Sequence, residues 1–177
     1  IRNLLSIPGL RKASNPNVVQ PTTTRRIILI VHDLIQGSPD WSAYRDTHEN
    51  ASDAPAMMGE SPYTKRSELI KQYSTGMAKA VDASTQKLFD NGHRFEKLAR
   101  GIAEKLVGEK LYPVTGSLGK LSASFDGLTM DHSIAYEHKT LNKDIRAAKT
   151  VADLPAHLRI QMEQQLHISE AAKCLFL

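Results

Sequence analysis

Residues 124–141 read SFDGLTMDHSIAYEHKTL. The run holds Asp126 with Gly127 behind it and, eleven residues after Asp126, Glu137 followed by His138 and Lys139. Most of it is strand-like, with Ile134, Ala135 and Tyr136 leading into the acid. Side chains at i and i+2 of a strand share a face, so Glu137 and Lys139 point one way and His138 the other. That spacing leaves two readings open: an exposed ion pair, or half of a metal site. A third carboxylate, Glu96, falls within NGHRFEKLARGIAEKLVG (91–108). Carboxylate oxygens suit hard divalent cations such as Mg²⁺ or Mn²⁺. A cation held by two or three acids binds a phosphodiester oxygen and generates hydroxide at neutral pH. A lysine beside it positions or deprotonates the water and offsets phosphate charge. E-x-K alone is a weak signal. Asp126–Gly127, read as hairpin-turn chemistry, strengthens it, and so does an upstream helix with Glu96 at the edge of its apolar stripe.

The elements that must position these groups follow from periodicity and punctuation. In 91–108, Phe95, Leu98, Ala99, Ile102, Ala103 and Leu106 recur at the spacing of one helical face, and Gly108 is a natural stop. LYPV, LSASF and SIAYEHKTL are strand candidates separated by turns. LPAHLRIQMEQQLHIS (154–169) opens with Pro155 in its first turn and continues as a helix, and KCLFL (173–177) is a final strand. Upstream, IILIV (27–31) reads as a buried strand within IILIVHDL. QGSPDW is a turn in which Ser38 or Asp40 caps a helix carrying Trp41 and Arg45. NASDAPAMMG (50–59) is a short helix with cap-type residues at its start, and SPYTKRSELIKQYSTG (61–76) is another helix. The order of elements specifies α/β or α+β architecture.

The sequence has 177 residues, 41% of them hydrophobic, enough for one domain with a proper core. No run approaches the ~18 apolar residues of a membrane span, and no secretory signal is evident at the start. The single Cys174 excludes an internal disulfide and a cysteine-based zinc cluster, and a cytoplasmic setting fits best. His32, His48 and His167 show no metal-ligand spacing. The formal charge of +4 is unevenly placed. Arg2, Arg11, Lys12, Arg25 and Arg26 give residues 1–32 a charge of +5 with no acid, so 33–177 sum to −1. The basicity therefore belongs to the arm, not to a uniformly basic DNA-binding domain. Residues 1–26, with SNPNVVQPTTT, read as a basic arm or linker ahead of a domain at 27–177. The ending CLFL, with no polar tail, suggests a functional chain that extends further.

An Asp and an E-x-K in a hairpin, preceded by a helix bearing Glu, resemble the PD-(D/E)XK nuclease superfamily. Trp41-x-x-x-Arg45, NASDAPAMMGESPY (50–63), GHRFEKLAR (92–100), SASFDGL (122–128), EHK (137–139) and QMEQQL (161–166) together resemble the YqaJ-type viral recombinase family, that of phage lambda exonuclease, over roughly 32–177. The resemblance implies an α/β (α+β) restriction-endonuclease-like core, a mixed central sheet flanked by helices. It implies a Mg²⁺- or Mn²⁺-dependent 5′→3′ exonuclease that digests one strand of linear duplex DNA, leaving a 3′ overhang for a single-strand annealing protein. It further implies a homotrimer, phage or prophage encoded and working in the bacterial cytoplasm. By residue it implies Asp126 and Glu137 as metal ligands, Glu96 on the active-site helix and Lys139 as the catalytic lysine. Arg45 and Ser52 match the positions that hold a 5′-phosphate, and Trp41 is a candidate contact for the DNA end. Gln161, Glu163, Gln164 and Gln165 lie on the Gln-rich helix beside the active site, where lambda-like members carry Q-x-Q. Phe125 stands where the family has Pro before the Asp, and YPVTGSLGKLSASF is short between helix and hairpin. The competing readings are an endonuclease of the same superfamily and a catalytically silent DNA-binding or structural phage protein. One Cys excludes the iron–sulfur version of the former, and the intact Asp126, Glu137 and Lys139 argue against the latter.

Overall fold

The computed structural model describes residues 4–6, 28–76 and 83–177. Its centre is the antiparallel pair β4 (Tyr112–Leu118) and β5 (Leu121–Leu128), joined at Gly119–Lys120. From β5 the sheet continues through β6 (Ile134–Glu137), antiparallel, and β7 (Lys173–Phe176), parallel to β6. Beyond β4 lies β2 (Ile30–His32), and beyond β7 lies β1 (Leu4–Ser6), both antiparallel. The short β3 (Glu49–Asn50) adds in parallel to the start of β5. The sheet is thus mixed, in the order β1-β7-β6-β5-β4-β2. Apart from β1, the basic arm lies outside the described residues.

Alternation along the strands builds one core on each face of the sheet. Ala123, Phe125, Ala135, Cys174 and Phe176 pack with Met162, Leu166 and Ile168 of helix α6 (Ala156–Ser169). Tyr136 and Leu175 turn the other way, onto Ala103 of helix α4 (Ala83–Val107) and Leu111. Phe125, at the position where the family has Pro, is fully buried in the first core. The remaining helices are α1 (Pro39–Asp46), α2 (Ala54–Met57), α3 (Arg66–Thr75) and α5 (Lys143–Ala147), with a 3₁₀ turn at Val151–Asp153.

Four expectations change. The run 28–31 is not a fully buried strand: among the described residues β2 pairs with β4 alone, Ile28, Ile30 and Val31 are exposed, and Leu29 is the one that enters the core. Asp126–Gly127 is not a turn but lies inside β5, and Gly127 faces Tyr136 across the ladder. A Cβ at Gly127 would come within 2.8 Å of Leu111 Cβ and 3.2 Å of Tyr136 Cδ1, so packing rather than turn geometry requires the glycine. On α4, Phe95, Leu98, Ile102 and Leu106 are exposed, while Glu96 and Ala103 are the buried positions among its described side chains. Glu96 therefore belongs to the inward face of α4, not to its margin. Finally, the segment 61–76 becomes helical only at Arg66; Ser61 instead fixes a turn, its Oγ accepting from the amides of Tyr63 and Thr64 at 3.2 Å.

Candidate active site

The acid–lysine pair forms where β6 ends. Glu137 follows Ala135 onto the α6 side of the sheet and is 2% exposed. Lys139 follows two residues on, and its Nζ donates to Glu137 Oε1. The backbone beyond β6 is pinned by the last strand: Leu177 N donates to Glu137 O at 3.1 Å and Lys139 N donates to Leu177 O at 3.0 Å. His138 points away from this pair. Its ring nitrogens are buried without hydrogen-bond partners among the described residues, and burial holds its pKa below the ordinary histidine value.

Helix α6 closes over Glu137. Gln161 and Gln165, one turn apart, donate to Oε1 and Oε2 respectively, each at 2.7 Å. Gln164 does not reach the acids; its amide donates to the carbonyl of Glu49 at 2.8 Å, tying α6 to β3. Glu163 is exposed and two steps round the helix from Gln161, away from the cluster. Of the four residues expected on this helix, Gln161 and Gln165 meet the acids; Glu163 and Gln164 do not.

Asp126, on the neighbouring strand, accepts from His138 N at 2.7 Å through Oδ2. Burial raises its pKa well above the usual carboxylate value, and the charge of Glu137, then that of Glu96, adds to the rise while Lys139 opposes it. Glu96 reaches this site from α4 and accepts from Arg100 Nη2 at 2.8 Å. For Lys139, burial works against the charge, but Glu137 and Asp126 outweigh it and hold the pKa above the ordinary lysine value. In this arrangement Lys139 is a cation and a donor rather than a base. Among the described residues, no group of three or more His, Cys, Asp or Glu side chains is arranged to hold a metal ion. A divalent ion here would rest on two carboxylates and complete its shell with water and phosphate oxygens, which is the habit of Mg²⁺.

A second cluster lies beside the first. Ser38 caps α1, accepting from Trp41 N at 3.2 Å. Trp41 Nε1 donates to Ser124 Oγ on β5 at 2.9 Å, and the Arg45 guanidinium lies 4.6 Å from the centre of the Trp41 ring. Arg45 Nη2 donates to Ser52 Oγ at 2.8 Å and is 3.9 Å from Asp53 Oδ2. Ser52 does not begin a helix, as its spacing suggested. It sits in the turn before α2, which has four residues and starts at Ala54. Asn50 holds that turn: its side chain donates to the carbonyls of Arg45 and His48 at 3.0 Å and to Asp53 at 3.1 Å, and accepts from Ser122 Oγ at 2.9 Å. Tyr73 Oη of α3 also donates to Asp53, at 3.1 Å. Asn50, Asp53 and Tyr73 carried no chemical signal of their own in the sequence. A cavity of about 320 Å³ is lined by Ser52 of this cluster and by Lys139 and Gln161 of the first.

No helix among the described residues is long and apolar enough to cross a membrane. A family model described as the YqaJ-like viral recombinase domain matches residues 40–172. The crystal structure of LHK-Exo in complex with dAMP is similar in fold, with a TM-score of 0.60 at 26% identity, covering 78% of this chain and 72% of that one. No curated protein matches the sequence.

Proposed function

The chain belongs to the YqaJ-like viral recombinase family and has the fold of the lambda-exonuclease-like PD-(D/E)XK nucleases, and from that premise we propose that it is a metal-dependent 5′→3′ exonuclease acting on linear duplex DNA. The observation that carries this reading is the cavity between Ser52 and Lys139. It joins an Arg–Ser pair suited to a terminal phosphate to an acid–lysine cluster suited to breaking a phosphodiester. LHK-Exo, similar in fold, is a complex with the mononucleotide dAMP, the type of product this reaction releases.

In the proposed reaction Arg45 and Ser52 hold the 5′-phosphate by charge-assisted hydrogen bonds. Trp41 supports Arg45 from beneath, and it contributes to end binding through that arginine. Asp126 and Glu137 hold Mg²⁺ or Mn²⁺, with Glu96 adding negative charge nearby. Bound there, the ion would supply Lewis acidity and make the attacking water more acidic. Gln161 and Gln165 fix the carboxylate of Glu137. Lys139 donates to the scissile phosphate and offsets its charge. Water oxygen bonds to phosphorus, the P–O3′ bond breaks, and the 3′-oxygen of the terminal nucleotide leaves with a proton. The shortened strand again begins with a 5′-phosphate, which returns to Arg45 and Ser52. The complementary strand remains as a 3′ overhang for a single-strand annealing protein, in the cytoplasm of a bacterial host.

The same reading makes the protein a homotrimer. Phe95, Leu98, Ile102 and Leu106 form an apolar stripe on α4, 47–64% exposed, that the other described residues leave uncovered. Contact between copies would bury it.

The test is digestion of linear 5′-phosphorylated, linear 5′-hydroxyl and circular duplex with Mg²⁺ or Mn²⁺. Loss of linear DNA alone, faster from 5′-phosphate ends, is the expected result. Cutting of circles would indicate an endonuclease, and binding without cutting a silent DNA-binding protein.

A further inference from the structure

We propose that Tyr63 and His157 form an aromatic seat for the base of the 5′-terminal nucleotide. The proposal rests on the reading above, in which Arg45–Ser52 holds the terminal phosphate and Asp126, Glu137 and Lys139 surround the next one. A single nucleotide lies between two successive phosphates. Its base must then project from the space between Ser52 and Lys139, and that space is the cavity whose wall contains both Tyr63 and His157. The two rings are 5.9 Å apart between centroids and tilted 87°, an edge-to-face pair. Such a pair leaves at least one flat ring face free.

Tyr63 is 77% exposed, yet its position is fixed. The Ser61 hydroxyl accepts from its amide and from that of Thr64, so the ring is carried on a defined turn between α2 and α3. His157 lies in the first turn of α6, the helix that also carries Gln161 and Gln165. Burial, and then the Lys139 ammonium, hold its pKa below the ordinary value. It offers a neutral, flat ring rather than a second cation. Two aromatic rings in a cavity lined by Ser52 at one site and Lys139 at the other match the way single-stranded nucleic acid is held, by stacking on rings and contacts to the backbone. Stacking tolerates any base, as an enzyme that removes nucleotides in succession requires. It also requires that the terminal base has left its partner, which draws the end of the duplex apart.

The experiment measures single-turnover release of the first nucleotide from 5′-phosphorylated duplexes whose terminal nucleotide carries adenine or is abasic, with Mg²⁺. The unmutated protein is expected to act roughly tenfold or more slowly on the abasic end, the value of one stacked base. Tyr63→Ala is expected to release both at the same slow rate, and Tyr63→Phe to keep the preference. With 2-aminopurine at the terminal position and Ca²⁺ in place of Mg²⁺, binding is expected to quench fluorescence in the unmutated protein and not in Tyr63→Ala. Equal rates on the two ends in the unmutated protein, or a preference that survives Tyr63→Ala, would overturn the seat while leaving the exonuclease reading intact. Failure to cut either end would instead overturn that reading, and the seat with it. Because Tyr63 is exposed, its replacement opens no core, and lost activity cannot be put down to misfolding.

Discussion

Arg45→Ala separates recognition of the DNA end from the chemistry. In the structure Arg45 donates to Ser52 at 2.8 Å, covers Trp41 at 4.6 Å and stands 3.9 Å from Asp53. Losing one charge-assisted contact to a phosphate should cost ~1.5–3 kcal/mol, or roughly ten- to a hundredfold in preference for 5′-phosphate over 5′-hydroxyl ends. The cost to folding is smaller. The Arg45–Asp53 pair is long and partly exposed, worth ~0–1 kcal/mol, and the contact with a partly exposed indole is worth ~0.5–1 kcal/mol. The indole keeps its bond to Ser124. The variant should therefore remain folded and cut slowly, without distinguishing the two ends. Arg45→Lys keeps the charge but loses the planar group over Trp41, and should recover only part of the preference. A phosphate monoester takes its second charge at a pKa of ~6, so the preference in the unmutated protein should grow from pH 5 to pH 7. The assay is single-turnover release of the first nucleotide from the two kinds of end at each pH. A preference undiminished in Arg45→Ala, or none in the unmutated protein, would refute the assignment of Arg45 and Ser52.

Asp126→Asn should abolish cleavage and change stability in a defined direction. The folded chain holds the Asp126 proton to higher pH than the unfolded chain, whose Asp titrates near ~3.9, so metal-free stability falls as pH rises from ~4 toward the raised value. The variant should melt higher than the unmutated protein in chelator at pH 7, and Mg²⁺ should no longer raise its melting temperature; a lower melting temperature in chelator would contradict the crowding of charge at this site. Lys139→Ala should lose cleavage yet keep stabilisation by Mg²⁺ in the same melting assay, and loss of both would assign the lysine to structure. Gln165→Leu removes a donor to Glu137 Oε2 from a fully buried position and should lower single-turnover cleavage roughly ten- to a hundredfold; near-normal rates would show that Gln161 and Lys139 suffice to fix the carboxylate. Ile102→Asp, on the exposed stripe of α4, should shift the mass measured by light scattering from trimer toward monomer, and an unchanged mass would take that stripe out of the interface.

What could be read in advance was local. The parity of a strand is enough to place Glu137 and Lys139 on one face, and the i, i+4 geometry of α6 is enough to align Gln161 with Gln165, but a resemblance that marked Gln161, Glu163, Gln164 and Gln165 together did not separate the pair that meets the acids. What could not be read depends on distant partners. Gly127 is required by Leu111 and Tyr136, which approach it from elsewhere in the chain, so Asp126–Gly127 resembled a turn while serving as strand. The periodicity of α4 identified an apolar stripe but not which face meets the sheet; Ala103 is small enough to let Tyr136 and Leu175 pack close, and the larger residues face outward. In the same way, nothing within NASD announces that Asn50 ties the end of α1 to β5. Its bonds to Arg45, His48 and Asp53 are local, but those to Ser122 and Tyr73 reach residues brought together only by the fold.

The pairing of Glu137 and Lys139 with Leu177 also sets the earliest moment in synthesis at which the two side chains can be held in register. Leu177 is synthesised 40 residues after Glu137 (177 − 137), and β7 lies parallel to β6, so the strand that fixes the acid and the lysine must first be carried back by α6. At ~5–20 residues per second, several seconds separate the two during synthesis. A nascent or prematurely terminated chain that stops before Lys173 carries Asp126, Glu137 and Lys139 in its sequence but lacks the edge that holds the last two in register. The acid and the lysine are thus held in register only once β7 has been made and laid beside β6.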